Sequence, residues 1–201
     1  MDAAERVIAA HGHQAASVKA ISAEAGVATG ALYRHFPSKA ALFAQVLRRV
    51  GERELAALER AAARHDDPVD GLLAGLATFA ARAQRAPRLA GALLHEPADP
   101  LVDAERLAYR RRHRAALAER VAAGVAQGDL PPQDPQRTAA ALVGAWAEVV
   151  VDPLAPDQDG EPAGGPAPEA LEALVAIAAR AIGAPQRRHP HEHASTEEEP
   201  P

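Results

Sequence analysis

Apolar residues along the chain fall into short rows at three- and four-residue spacing, broken at intervals by Pro, Gly and Asp. That period is the stripe of an amphipathic helix, and it continues to about residue 184. Val7 and Ile8 mark the inner face of a first helix over 2–11, which Gly12 ends. Ser17 stands where it can cap a second helix at 18–25, stopped by Gly26. A short third helix covers about 28–35. Pro37 and Ser38 open a long fourth, with Leu42, Phe43, Val46, Leu47 and Val50 on one face.

Three later helices open in a common way. Asp67-Pro68, Asp99-Pro100 and Asp134-Pro135 each set a capping carboxylate before a proline in the first turn. Such a proline gives up only an N–H that would be unpaired anyway. Leu72, Leu76 and Phe79 follow the first start. Leu117, Val121 and Val125 close the second segment before Gly128. Leu142, Val143, Trp146, Val149 and Val150 follow the third. A shorter helix fits between Pro87 and Pro97, and a last one covers 169–182, ended by Gly183 and Pro185. The Gly/Pro-rich stretch from Pro153 to Pro168 reads as a mobile loop, and the polar run 186–201 as a disordered tail. The expected fold is all-α, with about nine helices and no internal repeat. Its domains would be a head at 1–47, a body at 48–184 and a tail at 185–201.

Composition sharpens this picture. The chain has 201 residues, of which 52 are alanine, and alanine favours helix over strand. An all-β sandwich or barrel is excluded on that ground. With no cysteine, disulfides, thiol catalysis and cysteine zinc sites are excluded too. No run is apolar for long enough to span a bilayer and the N-terminus lacks a signal peptide's apolar core, so a cytoplasmic protein is expected. Charge is uneven: residues 1–50 carry six Lys/Arg against three Asp/Glu, and residues 51–201 carry 16 against 24. A basic head on an acidic body suits a polyanion bound by the head alone.

The chemistry concentrates between Val18 and Pro37, VKAISAEAGVATGALYRHFP. Two short helices about a tight turn account for it. Ile21, Ala25, Val27 and Leu32 would face inward, small Ser22 would sit at the helix crossing, and Gly26 would supply a positive φ at the turn. This is the helix-turn-helix pattern, whose second helix projects a polar face into the DNA major groove. The stretches AAERVIAAHG at 3–12 and SVKAISAEAGVATGALYRHFPSKAALF at 17–43 resemble the tetracycline-repressor (TetR) family of bacterial transcription regulators. The resemblance covers about a quarter of the chain.

That resemblance implies a DNA-binding set. Ser17 would cap the second helix and bond a phosphate, and Lys19 would add a phosphate contact. Ala28, Thr29 and Gly30 open the recognition helix; Thr29 would reach a base edge or a thymine methyl, and Gly30 would let the backbone approach DNA. Tyr33, Arg34, His35 and Lys39 would complete the contacts, mostly to phosphate. Phe36 and Phe43 read as core. Three positions depart from the pattern. His13 replaces an aromatic or large apolar residue, which predicts looser packing behind the first helix; Ala20 removes a capping box; Ala28 replaces a serine cap.

The resemblance also implies a C-terminal domain that dimerises through its last two helices and holds a small-molecule pocket. Candidate interface residues are Leu142, Val149, Leu171, Leu174, Val175, Ala178 and Ile182. Candidate pocket residues are Leu76, Phe79, Leu93, His95, Leu107, Tyr109, Arg111 and Trp146, a set that suits a largely apolar effector. Of the run Arg110, Arg111, Arg112 and Arg114, most must face solvent. His189, His191 and His193 read as chance neighbours in a tail rather than a metal site. No cofactor is expected, and no nucleophile stands beside a base, so catalysis is not expected. The function that follows is a dimeric, ligand-responsive repressor on a palindromic operator. The alternatives are an activator, a regulator without a ligand, and a helical small-molecule-binding module that does not bind DNA.

Overall fold

The computed structural model describes residues 1–94, 99–151 and 168–185. These form nine helices: α1 Asp2–Ala15, α2 Val18–Glu24, α3 Thr29–His35, α4 Lys39–Ala62, α5 Pro68–Arg85, α6 Pro87–Leu94, α7 Pro100–Gln127, α8 Pro135–Val151 and α9 Pro168–Ala181. The fold is all-helical, and the described residues contain no strand. None of the described helices is long and apolar enough to cross a membrane. The expected loop from Pro153 and the expected tail lie outside the described residues, apart from Pro168, which begins α9, and Pro185.

Local chemistry sets most helix ends. Asp67 Oδ1 accepts from the N–H groups of Val69 and Asp70 at 2.7 and 3.1 Å. Asp99 accepts from Leu101 N at 3.0 Å, and Asp134 from Gln136 N and Arg137 N at 2.9 and 3.2 Å. All three Asp-Pro starts therefore cap as the pattern predicts. Ser17 and Ser38 do the same for α2 and α4, accepting from Ala20 N and Ala41 N at 3.0 Å. Gly128 leaves α7 with φ of 83°, a conformation costly for any side chain with a Cβ.

The first helix differs from its expected end. Gly12, with φ of 75°, is a kink inside α1 rather than its stop, and the chain regains helix to Ala15. The two parts place His13 inward. Its ring meets Phe43 edge-on at a centroid distance of 4.6 Å. The expected looseness behind α1 is thus filled by an imidazole in edge-to-face packing. Burial first, then the positive charges of Arg106 and Lys39, hold the His13 pKa below its usual value.

One apolar core runs from Ala4, Val7 and Ile8 in α1 to Leu174, Ala178 and Ile182 in α9. Long α4 carries it. Leu42, Phe43, Val46, Leu47, Val50 and Leu58 are buried along it, and Phe43 meets His13 of α1. The 47/48 boundary expected from the sequence thus falls inside one unbroken helix. Helix α4 packs on α5 and α7, α7 on α8, α9 on α5, and α1 on α6. Gly51 permits the close approach of α4 and α7, since a Cβ there would stand 2.8 Å from Cδ2 of Tyr109.

Candidate nucleic-acid interface and effector cavity

Helices α2 and α3 meet through a turn at Gly26, whose φ of 66° requires glycine. Ile21 and Ser22 are buried as expected, but Ala25 and Val27 are not. The turn carries both to the surface, and α3 itself has no fully buried residue. It rests on the core through half-buried Leu32, with Phe36 just beyond it.

That leaves a polar stripe open. Thr29, Gly30, Tyr33 and Arg34 are exposed and share one side of α3 by their spacing. A Cβ on Gly30 would meet nothing within 4 Å, so a flat partner can approach the backbone there. Exposed His35 ends the helix. Exposed Ser17 and Lys19 stand in and beside the cap of α2. Ala28 is the N-cap of α3 and offers no side-chain cap bond. Lys39 opens α4, with Nζ 5.1 Å from the centroid of Phe43.

Among the described residues some cations are neutralised internally, and others, on this face and in the body alike, are not. Arg48, Arg49, Arg53, Arg82, Arg106, Arg112 and Arg137 each lie within ion-pair distance of a carboxylate. The Arg48–Glu105 bond raises the arginine pKa and lowers that of the glutamate. Among the described residues, no side chain forms an ion pair or hydrogen bond with Lys19, Arg34 or His35, or with the Tyr33 hydroxyl. Cations without internal counter-ions remain available to an external anion such as a phosphate backbone.

In the body, a cavity of about 30 Å³ lies between α4, α5 and α6. That is room for about two water molecules. Val50, Phe79, Ala83, Leu89, Ala90 and Leu94 form its apolar wall. The Glu54–Arg82 pair, with bonds of 2.5 and 2.9 Å, supplies its polar edge. Of the predicted pocket residues whose side chains are described, Phe79 alone lines this cavity. Leu76 and Trp146 are core, joined by a bond from Trp146 Nε1 to Leu76 O. Tyr109 packs behind, against Gly51 and His113. Leu107 and Arg111 are exposed, because the inner side of α7 belongs to Arg106, Tyr109 and His113. His95 and the side chain of Leu93 lie outside the described residues. Glu54 and Arg82 escaped sequence reading because 28 residues separate them, and only packing brings them together.

Helix α6 links this cavity to the head. Arg88 donates to the carbonyl of Ala10 in α1. Buried Arg106 grips the carbonyl of Ala92 through Nε and Nη2 at 3.1 and 2.7 Å. Behind the cavity, His113 is held at a pKa of about 4 by burial, beside Phe79 at 5.3 Å. Burial likewise pushes the Tyr109 hydroxyl upwards.

The residues predicted for a dimer face mostly close the protomer instead. Leu142, Leu174, Ala178 and Ile182 are buried within the single chain, and Leu171 and Val175 are half-buried against its core. The side chain of Val149 lies outside the described residues. The exposed sides of the same helices carry Ala140, Ala141, Gly144 and Ala145 on α8, and Ala173, Ala176 and Ile177 on α9.

Comparison with known proteins agrees with this architecture. Residues 1–46 match the family model of bacterial regulatory proteins of the tetR family. No curated protein sequence matches the chain. Its fold is similar to that of the fatty acid degradation regulator FadR from Bacillus halodurans, at 22% identity and a TM-score of 0.71 over 90% of this chain and 95% of that one. It is also similar to FadR from Bacillus subtilis in complex with stearoyl-CoA, at 18% identity and a TM-score of 0.70 over 90% and 92%. A tetR-family regulatory protein from Rhodococcus RHA1 gives 22% identity and 0.67 over 92% and 95%. RolR in complex with resorcinol gives 17% and 0.67 over 91% and 85%.

Proposed function

We propose, from a tetR-family head at residues 1–46 and a body with the fold of tetR-family regulators, that this protein is a dimeric transcriptional repressor released from its operator by a small molecule. The observation that carries the reading is the exposed face of Lys19, Thr29, Gly30, Tyr33, Arg34, His35 and Lys39, rich in donors and without a carboxylate partner among the described residues. Ser17 caps α2 and adds a hydroxyl beside that face. Phosphate contacts from Lys19, Tyr33, His35 and Lys39 would position the head, and Thr29 and Arg34 would reach base edges. Ala28 and Gly30 would keep the entrance of α3 narrow enough to enter the major groove. Such a protein works in the cytoplasm, where its DNA is.

One recognition helix reads only a half-site, so the reading needs two copies on a palindrome. The small exposed residues of α8 and α9 suit a close four-helix contact about a twofold axis. This face replaces the one expected from the sequence, whose residues the protomer core already uses.

The effector would enter the body between α4, α5 and α6. At about 30 Å³ the cavity must widen first, and α6 is the short wall that can yield. Displacement of α6 reaches α1 through Arg88 and the α1–α6 packing, and α4 carries it to Lys39. The two heads then lose their spacing, and only differential affinity for the two states is required. The apolar wall suits a largely apolar effector. The ligands named for the neighbours, stearoyl-CoA and resorcinol, each offer apolar surface.

Selection of binding sites from a random DNA pool, with and without candidate effectors, tests this reading. Enrichment of a palindrome that is lost when an effector is added is expected. No enrichment overturns it.

A further inference from the structure

The crossing of α2 and α3 contains a short chain of hydroxyls. Ser22 Oγ lies 2.9 Å from the carbonyl oxygen of Lys19, and 2.9 Å from Thr29 Oγ1. Proton bookkeeping orients both bonds. A carbonyl can only accept, so the single hydroxyl proton of Ser22 is directed at Lys19 O. Ser22 can then only accept from Thr29, and the proton of Thr29 is directed inwards. Ser22 is buried at 3% exposure, so no solvent competes for this arrangement. Thr29 is exposed on the open stripe of α3.

We infer that Ser22 is a positioning residue that turns Thr29 into an acceptor-only base reader. The inference rests on the DNA-binding reading above and deepens it. With its proton committed, the Thr29 hydroxyl offers outwards only lone pairs. Donating to Ser22 also strengthens it as an acceptor, because hydrogen bonds in a chain polarise one another. In the major groove the hydrogen-bond donors are the exocyclic amines of adenine and cytosine, whereas guanine and thymine present O6 and O4 as acceptors. At the strand position it contacts, Thr29 therefore selects adenine or cytosine and rejects guanine and thymine. The carbonyl that ends the relay belongs to Lys19, whose own side chain is free to hold phosphate, so backbone docking and base reading share one rigid unit.

The test is binding-site selection by the full chain, run in parallel for wild type, Thr29→Val and Ser22→Ala. Wild type is expected to enrich a half-site with adenine or cytosine at one position, by about three- to tenfold over guanine or thymine. Thr29→Val, which keeps the shape of an exposed residue, is expected to abolish the preference at that position alone. Ser22→Ala frees the Thr29 proton to point outwards, so guanine and thymine are expected to become acceptable there with the rest of the site unchanged. A wild-type preference for guanine or thymine at the Thr29-dependent position overturns the inference. So does a Ser22→Ala profile identical to wild type, or a Thr29→Val profile without change. In those cases the enriched palindrome still stands, and with it the DNA-binding reading. If wild type enriches nothing, both fall together.

Discussion

Trp146 Nε1 donates a 3.1 Å hydrogen bond to the carbonyl of Leu76, which ties α8 to α5 inside the core. The indole is 2% exposed and the chain holds no other tryptophan. Trp146→Phe replaces the indole with a smaller phenyl ring and leaves this contact unmade. A loss of about 1–3 kcal/mol is expected, read as a lower denaturant midpoint. Native emission should be that of a buried indole and shift red on unfolding. Wild-type stability in the phenylalanine variant would assign the bond no role.

Lys39 opens α4 with its ammonium over Phe43 and, among the described residues, no carboxylate within ion-pair distance. Lys39→Ala should weaken binding to every DNA sequence alike. The plot of log affinity against log salt should lose about one unit of slope. An unchanged slope would remove Lys39 from the phosphate contacts.

Ala145 and Ile177 are exposed on α8 and α9, where a second copy would dock. Glutamate at either place has solvent room in the monomer but would bury a charge in the dimer. Ala145→Glu and Ile177→Glu should shift sedimentation from dimer to monomer with little change in helix content. Leu174→Glu, by contrast, should unfold the chain, because Leu174 is 4% exposed within one protomer. A dimer that survives both surface charges would place the interface elsewhere.

His113 is buried with Nε2 unpaired among the described residues, and its pKa falls from 6.5 to about 4. The unfolded chain then binds a proton that the folded chain refuses between those two values. Stability is therefore full above about pH 6.5 and declines as pH falls towards 4, by about 3 kcal/mol from this group at most. His113→Leu should flatten that decline and leave stability at pH 7 equal or higher, since it removes an unpaired buried nitrogen. Melting curves across pH 4–7 check this. His13, shifted in the same direction, leaves a residual slope.

Much of this molecule was legible in the residue order. Asp67, Asp99 and Asp134 capped the helices they were expected to cap, and Gly26 and Gly128 sat at the positive-φ turns. Caps, turns and apolar periods act within one or two turns of helix, so neighbouring residues suffice to determine them. The exposed stripe of α3 followed from the same short-range spacing.

Tertiary packing decided the rest, because it depends on which distant surfaces win a place in the core. It spent the expected dimer face of α8 and α9 on the protomer itself and left the alanine side free. It brought Glu54 to Arg82 at the edge of a cavity, and turned Leu107 and Arg111 away from it. It also set Ser22 against Thr29 across a helix crossing. Residue order by itself determined a helical chain with a helix-turn-helix head; the fold decided which side chains that head buries at its crossing and which it leaves exposed.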